Sequence, residues 1–391
     1  MTFDIVRARA ETPGCEGVIH FNNAGAALQP TPVLAAVRQH LDLEAQVGGY
    51  EAAEMASGAL DDVYGSVAEL VGAHPGEIAL MESATRGLDA VLYSLPLEPG
   101  DRIHASTHEY ASGFIALLQL SRRTGAVVEV MASDAEGVPD VEALQASLDD
   151  RSRVVMLTHV PASSGTVNPV AEVGAIVRRS QALYVVDACQ SAGQLPVDVD
   201  VIGCDVLVGT GRKYLRGPRG TGFLYVRAGV LDSVEPATLD YHAADWPDPQ
   251  RYTVRSDARR YESFECAVAA RVGLGVAVRY ALDVGAVNIS QRVRALAADL
   301  RRGLGGIEGV EVLDRGPDLC GLVGFRVEGW RCSDVRDSLR GLGINTWVMR
   351  ASATRLDLEP RAVTELVRAS VHYYNTEAEV DRFCLEVARL R

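Results

Sequence analysis

Lys213 is the only lysine in this chain of 391 residues, although the chain carries 38 lysine and arginine residues in all. It lies in the segment Gly209-Thr210-Gly211-Arg212-Lys213. Arginine stays protonated at physiological pH, whereas burial or a neighbouring cation can make a lysine amine neutral. Because a neutral amine attacks a carbonyl carbon, we interpret Lys213 as a nucleophile that forms a Schiff base.

Two segments predict a phosphate-binding group near this lysine. Glu82-Ser83-Ala84-Thr85-Arg86 follows a predicted strand and opens a predicted helix, where free backbone N–H groups and the helix dipole favour a phosphate. Thr210 and Arg212 add a hydroxyl and a cation next to the lysine.

Asp187 supplies a carboxylate to the same predicted site. It ends the apolar run Tyr184-Val185-Val186, and the side-chain amide of Gln190 follows three residues later. A carboxylate that keeps a pyridine nitrogen protonated lets the ring accept electrons from a substrate carbanion. A phosphate site, a carboxylate and an imine-forming lysine together predict a site for pyridoxal 5′-phosphate.

Alternating apolar and amphipathic segments indicate the elements that position these groups. Seven strands are predicted at 77–81, 102–106, 127–131, 153–159, 182–187, 205–208 and 221–226, and helices at 86–95, 112–123, 141–148 and 170–180. Strands that are almost continuously apolar are buried on both faces, so we expect an α/β fold with a mostly parallel seven-stranded sheet between helices. Ligands bind at the carboxyl ends of such strands, where the polar groups fall.

The pattern changes near residue 265. Two long helical runs at 267–282 and 289–304 precede a smaller α+β pattern, with predicted strands at 310–313, 322–327, 344–348 and 366–370 and helices at 333–342 and 377–390. We predict an N-terminal arm of residues 1–15, a large cofactor-binding domain of residues 16–275 and a small C-terminal α+β domain of residues 276–391.

The bulk composition excludes several classes of function. A net charge of −14 argues against a nucleic-acid partner. The seven cysteines have no spacing typical of a zinc site, so no metal is expected, and reduced thiols fit the cytoplasm. The sequence shows no signal-peptide pattern and no apolar run as long as a membrane span, so we expect a cytoplasmic protein without a membrane partner.

The ordered motifs Asp187-x-x-Gln190, Thr210-Gly211-Arg212-Lys213 and Arg216-Gly217-Pro218-Arg219-Gly220 resemble those of the class V aminotransferase family of fold-type I pyridoxal phosphate enzymes. This group includes cysteine desulfurases, isopenicillin N epimerase-like proteins and cysteine C–S lyases. The resemblance extends from Asn22-Asn23-Ala24-Gly25 to Arg368 and the residues after it. It implies the fold-type I architecture, pyridoxal 5′-phosphate as cofactor, an amino-acid substrate and a homodimer with active sites at the interface.

The resemblance also implies roles for single residues. Lys213 carries the cofactor, Asp187 pairs with the pyridine nitrogen and Gln190 contacts the ring hydroxyl. The phosphate is expected on Ala84, Thr85, Thr210 and Arg212, and the substrate on Asn23, Ala24, Gly25 and Arg368, with Arg368 as a bidentate fork for the substrate carboxylate.

Family members place a flat ring over the cofactor, and the matching segment here is Thr107-His108-Glu109-Tyr110-Ala111. We predict that Tyr110 stacks on the cofactor and donates a proton to a leaving group. His108 lies close enough in sequence to compete as a cofactor contact, and a tyrosine packed in the core is the structural alternative.

Two departures from the desulfurase pattern bear on the reaction. Residues 345–355, where a desulfurase carries the thiol that accepts sulfur, contain no cysteine, so persulfide chemistry is not expected. Trp347, Arg350 and Arg355 in this segment indicate a larger, polar substrate. Ala162 stands where relatives carry an asparagine that touches the cofactor or substrate, so that contact is lost or rebuilt.

We predict β-elimination across the C–S bond of an S-substituted cysteine, in antibiotic metabolism. The segments 241–246 and 260–263 are similar to the isopenicillin N epimerase-like branch and to pyridoxal phosphate enzymes of lincosamide biosynthesis. Decarboxylation coupled to oxidative deamination of the same conjugate, which yields an aldehyde, is the runner-up; epimerisation and transamination stay open. A non-catalytic sensor with this fold is disfavoured, because a structural role gives no reason to retain a single lysine at position 213.

Overall fold

The computed structural model describes residues 4–390. Its strands are β1 (Ile19–His20), β2 (Ile78–Met81), β3 (Arg102–Ala105), β4 (Val127–Val130), β5 (Ser152–Thr158), β6 (Leu183–Asp187), β7 (Val206–Thr210), β8 (Gly222–Val226), β9 (Ala244–Asp248), β10 (Arg251–Val254), β11 (Val310–Val312), β12 (Leu322–Val327), β13 (Ile344–Asn345), β14 (Trp347–Arg350) and β15 (Glu365–Ser370).

The α-helices are α1 (Ile5–Ala10), α2 (Thr31–Val47), α3 (Gly49–Met55), α4 (Ser57–Val71), α5 (Ala84–Leu92), α6 (Ala111–Thr124), α7 (Val141–Ser147), α8 (Val170–Val177), α9 (Val199–Ile202), α10 (Ala228–Leu231), α11 (Val268–Val284), α12 (Ala286–Gly305), α13 (Cys332–Gly341), α14 (Arg355–Leu358) and α15 (Glu377–Ala388). No single helix among residues 4–390 is long and apolar enough to cross a membrane. Helices α11 and α12 meet the length and apolarity criteria only when taken together, and the chain bends by 79° between them.

The seven predicted strands β2 to β8 form one sheet in the order β2-β8-β7-β6-β5-β3-β4. The five strands from β7 to β4 in this order are parallel, whereas β8 runs antiparallel to both of its neighbours, β2 and β7. The prediction of a mostly parallel seven-stranded sheet in an α/β fold is therefore confirmed.

Alternation along the strands divides the core into two layers. On one face, Met156 and Val185 pack in a cluster with residues of α5 and α6. On the other face, Leu157 and Val186 pack in a cluster with residues of α8 and α11. Both faces are thus covered by helices, which explains why these strands are apolar at nearly every position.

The C-terminal region contains a four-stranded antiparallel sheet in the order β11-β12-β15-β14. The single strand predicted at 344–348 is wrong, because the chain changes sheets at Thr346. Ile344 pairs in parallel with Ile19 of β1, whereas Trp347 begins β14 and pairs with Arg368 of β15. The N-terminal segment is thereby fixed against the C-terminal region.

Other features of the fold lie outside the sequence predictions. No element was assigned to residues 17–76, which form β1 and helices α2 to α4. The predicted domain boundary between residues 275 and 276 falls inside the continuous helix α11. The division into residues 1–15, 16–275 and 276–391 stays a prediction.

Candidate active site

The carboxyl ends of four strands meet at one edge of the central sheet. Thr158, Asp187 and Thr210 end β5, β6 and β7, and Thr158 is in register with Asp187. The chain leaves β2 at the same edge and enters α5. These ends enclose a cavity of about 170 Å³, which we call the inner cavity, and its lining includes Ala84, Thr85, Tyr110, Asp187, Gln190, Thr210, Arg212 and Lys213.

The first turn of α5 forms one end of the inner cavity. Ser83, in extended conformation with φ −164°, caps the nine-residue helix, and its hydroxyl accepts the N–H of Arg86 at 3.2 Å. The N–H groups of Ala84 and Thr85 have no acceptor within the helix. Together with the helix dipole, they suit a phosphate at this end.

Asp187 and Cys189 form the floor of the inner cavity. The carboxylate of Asp187 accepts the backbone N–H of Cys189 at 2.8 Å. Burial and the neighbouring carboxylate raise the pKa of the Cys189 thiol well above its ordinary value, so this thiol stays protonated at neutral pH.

Lys213 follows β7 by three residues and lines the cavity. Loss of solvent around the amine lowers its pKa below the ordinary value, and the nearby guanidinium groups of Arg212 and Arg368 lower it further, against the opposing effect of the Asp187 carboxylate. The fold therefore favours the neutral form of the amine, which is the form that attacks a carbonyl carbon.

Gln190 gives a direct test of whether a ligand fits the inner cavity. Its amide nitrogen Nε2 donates to the carbonyl oxygen of Ala24 at 3.1 Å, whereas its oxygen Oε1 is buried and has no hydrogen-bond partner among residues 4–390. A buried acceptor without a donor costs about 1–3 kcal/mol. The ring hydroxyl of pyridoxal 5′-phosphate would supply that donor, so the residues present fit this cofactor.

Arg368 is a buried cation that pairs with no carboxylate of residues 4–390. It is 3% exposed; Nη1 donates to the carbonyl oxygen of Ala162 at 2.8 Å and Nη2 to Oδ1 of Asn22 at 3.3 Å, while Nε has no partner among the described residues. Burial lowers the pKa of its guanidinium to about 10. An unpaired buried guanidinium is a strong site for an anion, and the backbone of Ala162 helps to hold it in place.

A second, more open cavity of about 720 Å³, which we call the outer chamber, shares Tyr110, Ala162, Gln190, Arg212, Lys213 and Arg219 with the inner cavity. Of the predicted substrate-binding residues, Ala24, Gly25, Trp347, Arg350 and Arg368 line this chamber. Asn23 does not. Its side chain is buried behind the wall, where Nδ2 donates to the carbonyl oxygen of Ser370 at 2.7 Å.

Tyr110 and His108 are separated by the turn before α6. Tyr110 is 43% exposed and lines both cavities. His108 lines neither, because its side chain turns into the protein and its Nδ1 lies 2.9 Å from Oδ1 of Asn168. The structure thus brings Tyr110, and not His108, to the site; the stacking role of Tyr110 stays a prediction.

Two functional candidates escaped the sequence analysis. Glu109 is buried beside the site and accepts hydrogen bonds from Ser106 and Thr158. Arg219 lines both cavities. For Glu109, the signal in the sequence was a carboxylate just after the predicted strand 102–106. For Arg219, it was the second arginine of the motif Arg216-Gly217-Pro218-Arg219-Gly220.

Comparisons with known proteins cover nearly the whole chain. The family model of class-V aminotransferases matches residues 19–383. A probable cysteine desulfurase of Methanothermobacter thermautotrophicus is 28% identical over 378 residues, which cover 95% of this chain and 94% of the relative. Probable cysteine desulfurase 2 of Mycobacterium leprae is 30% identical over 411 residues, which cover 99% of this chain and 96% of the relative.

Solved structures show the same architecture. The apo cysteine desulfurase of Thermococcus onnurineus NA1 superposes with a TM-score of 0.92 at 26% identity, covering 98% of this chain and 97% of that one. The cystine C–S lyase C-DES, solved with its reaction product cysteine persulfide, gives a TM-score of 0.88 at 24% identity and covers 96% of this chain and 99% of its own. At this level of identity, the likeness to C-DES shows a shared fold.

Proposed function

Because the chain belongs to the class-V aminotransferase family and its cofactor is pyridoxal 5′-phosphate, we propose that it catalyses β-elimination across the C–S bond of an S-substituted cysteine. The cofactor, when bound, draws electrons from the α-carbon of an amino acid. The products are then a free thiol and, after uptake of water by the remaining three-carbon fragment, pyruvate and ammonia.

The main support for this proposal is that the described residues of the site include no thiol suited to accept sulfur. Among the described residues that line the outer chamber there is no cysteine. The inner cavity has Cys189, which lies against Asp187 and has a raised pKa. A thiolate is the form that attacks sulfur, so this thiol is a poor sulfur acceptor. Without an acceptor on the protein, sulfur leaves together with its substituent.

Three side chains divide the work of the proposed elimination. The guanidinium of Arg368 holds the α-carboxylate of the substrate in the outer chamber, and the amine of Lys213 takes the proton from the α-carbon. The hydroxyl of Tyr110 donates a proton to the departing sulfur. One proton is thus removed and one supplied, which balances the reaction.

The proposal extends to metabolic setting and assembly. The resemblance of segments 241–246 and 260–263 supports a role in antibiotic metabolism. An exposed aromatic cluster supports a homodimer: Phe264 is 50% exposed, with the rings of Tyr241 and Tyr50 at 6.0 and 6.4 Å from its own. Apolar clusters of this kind mark contact surfaces. The placement of the active sites at the interface rests on the family resemblance.

Product analysis of the holoenzyme with a panel of S-substituted cysteines tests the proposal. Equal amounts of pyruvate, ammonia and thiol are expected, and Lys213→Ala serves as the inactive control. Carbon dioxide and an S-linked aldehyde, with consumption of oxygen, would instead establish the decarboxylating deamination. Alanine and a protein persulfide formed from plain cysteine would establish a desulfurase.

A further inference from the structure

The outer chamber is cationic in a strongly acidic chain. The protein has 52 aspartate and glutamate residues against 38 lysine and arginine residues. Even so, the chamber lining contains Arg212, Arg219, Arg336, Arg350 and Arg368 together with the lysine, and no aspartate or glutamate. Such a concentration of one charge attracts a ligand of the opposite charge.

These cations are not equivalent, because several are already engaged. Arg336 forms a paired contact with Asp337 at 2.8 and 2.9 Å. Arg212 donates to the carbonyl oxygen of Gly25. Arg368, in the proposed function, binds the α-carboxylate of the substrate. Arg350 is exposed, and no carboxylate lies within 4 Å of its guanidinium among residues 4–390. Arg219 is also exposed and unpaired among these residues, but it lines the inner cavity as well, whereas Arg350 lines only the outer chamber of the two. Arg350 is therefore the cation that we consider for a second anion.

Strand β14 supplies several residues of the chamber wall. Trp347 is in register with Arg368, and Arg350 is in register with Glu365. Arg350 lies three positions after Trp347, which corresponds to about 10 Å between their Cα atoms. Alternation places Trp347 and Met349 on the face of Arg368 and turns Arg350 to the other face of β14, from where it lines the chamber at the end of this strand. Between these points the chamber offers the half-exposed ring of Trp347 and the side chain of Met349. The chamber thus has an anion site, an apolar middle and a second anion site.

We propose that the S-substituent of the substrate ends in a carboxylate that binds Arg350, with its apolar part lying on Trp347. This inference rests on the proposed function for the identity of the substrate. Arg350 would determine specificity without taking part in bond cleavage, so its removal should change KM and leave kcat nearly unchanged.

Two nearly isosteric substrates test the inference in the holoenzyme: S-(2-carboxyethyl)cysteine and S-(2-carbamoylethyl)cysteine. We expect the wild type to show a KM about 10-fold lower for the acid than for the amide, because a charge-assisted contact is lost with the amide. Arg350→Gln should abolish this difference. Arg355→Gln is the matched control, since Arg355 pairs with Glu359 and does not line the chamber.

A binding measurement separates this inference from the proposed function. 2-Aminopimelate, in which a methylene replaces the sulfur of the acid, and its ω-amide cannot undergo C–S cleavage. Titration of the holoenzyme with each compound, monitored by the visible spectrum of the bound cofactor, gives the two Kd values. If the wild type cleaves neither cysteine conjugate but binds the diacid about 10-fold more tightly in an Arg350-dependent manner, the reaction is wrong and the anion site stands. Equal Kd values for the diacid and its amide, or a preference abolished by Arg219→Gln and not by Arg350→Gln, would overturn the inference.

Discussion

Thr158 donates two hydrogen bonds to the buried carboxyl group of Glu109, one from its N–H at 3.0 Å and one from its hydroxyl at 2.7 Å. Thr158 is also in register with Asp187 across β5 and β6. Glu109 therefore supports, from within the protein, the strand end at which the predicted cofactor partner lies. Burial, with a smaller contribution from Asp187, raises the pKa of Glu109 to about 7 against the opposing hydrogen bonds from Ser106 and Thr158.

The raised pKa of Glu109 predicts a pH-dependent stability. A carboxyl group with a folded pKa above its ordinary value of 4.5 contributes stability that is complete below pH 4.5 and is lost as the pH rises through about 7. The loss amounts to about 3 kcal/mol. Between pH 5 and 8 the free energy of unfolding of Glu109→Gln should rise by most of that amount, about 2.5 kcal/mol, relative to wild type. Urea unfolding at several pH values measures it.

Glu308→Gln, the same change at an exposed position, corrects for the loss of one negative charge. A difference between Glu109→Gln and wild type that stays constant from pH 5 to 8 would contradict the raised pKa of Glu109.

Replacement of Lys213 should uncouple cofactor binding from covalent attachment. In Lys213→Arg the cation is kept, but the guanidinium does not lose its proton. We expect the variant to bind the cofactor reversibly and turnover to fall by at least about 10³-fold. Mass spectrometry after borohydride reduction should show the cofactor mass added to wild type and absent from the variant. A reduced adduct in Lys213→Arg would place the attachment on another residue.

Asp187→Asn should impair turnover more than cofactor binding. The amide keeps the size of the side chain but does not stabilise a positive charge on the pyridine nitrogen. We expect turnover to fall by about 10²–10³-fold, measured as thiol release at saturating cofactor. Asp205→Asn is the control, because Asp205 is a partly buried residue just before β7, accepts the N–H of Tyr184 at 2.8 Å and does not line either cavity. Equal losses of turnover in both variants would indicate a structural effect.

Arg216 should be important for stability because it joins three distant segments. Its guanidinium is 1% exposed and donates to the carbonyl oxygen of Leu28 and the hydroxyl of Tyr373, each at 2.8 Å, and to the hydroxyl of Thr12. We expect Arg216→Ala to lower the free energy of unfolding by about 2–4 kcal/mol.

Arg251→Ala is the control for Arg216→Ala, since Arg251 forms an exposed pair with Asp248 at 3.0 Å that contributes at most about 1 kcal/mol. Denaturant midpoints measure both variants. Equal effects would show that the buried contacts of Arg216 add little.

Local signals predicted the central sheet well. Each of its seven strands was expected within two residues of its observed bounds, because most of these strands are buried on both faces and are therefore apolar at nearly every position; β4 is partly exposed. The helices within residues 17–76 were not predicted, for two different reasons. In α4 the buried residues Val63, Val67 and Val71 have helical spacing, so the signal was present in the sequence and was overlooked, whereas α2 has a weak signal. In α2 only Val33 and His40 are buried, so its sequence shows little of the apolar periodicity that marks a helix. The hairpin β9–β10 is largely exposed and was missed for the same reason.

The sequence by itself determined the chemistry: one lysine able to lose its proton, a carboxylate at a strand end and a helix start suited to phosphate, all at positions that a parallel sheet brings to one edge. Only the tertiary structure decided which neighbours share the cavity. Tyr110 faces it and His108 does not, and Arg336 reaches the outer chamber from a helix. Side-chain direction after a strand end and contacts between distant segments depend on the packing of the whole chain, which local pattern does not encode.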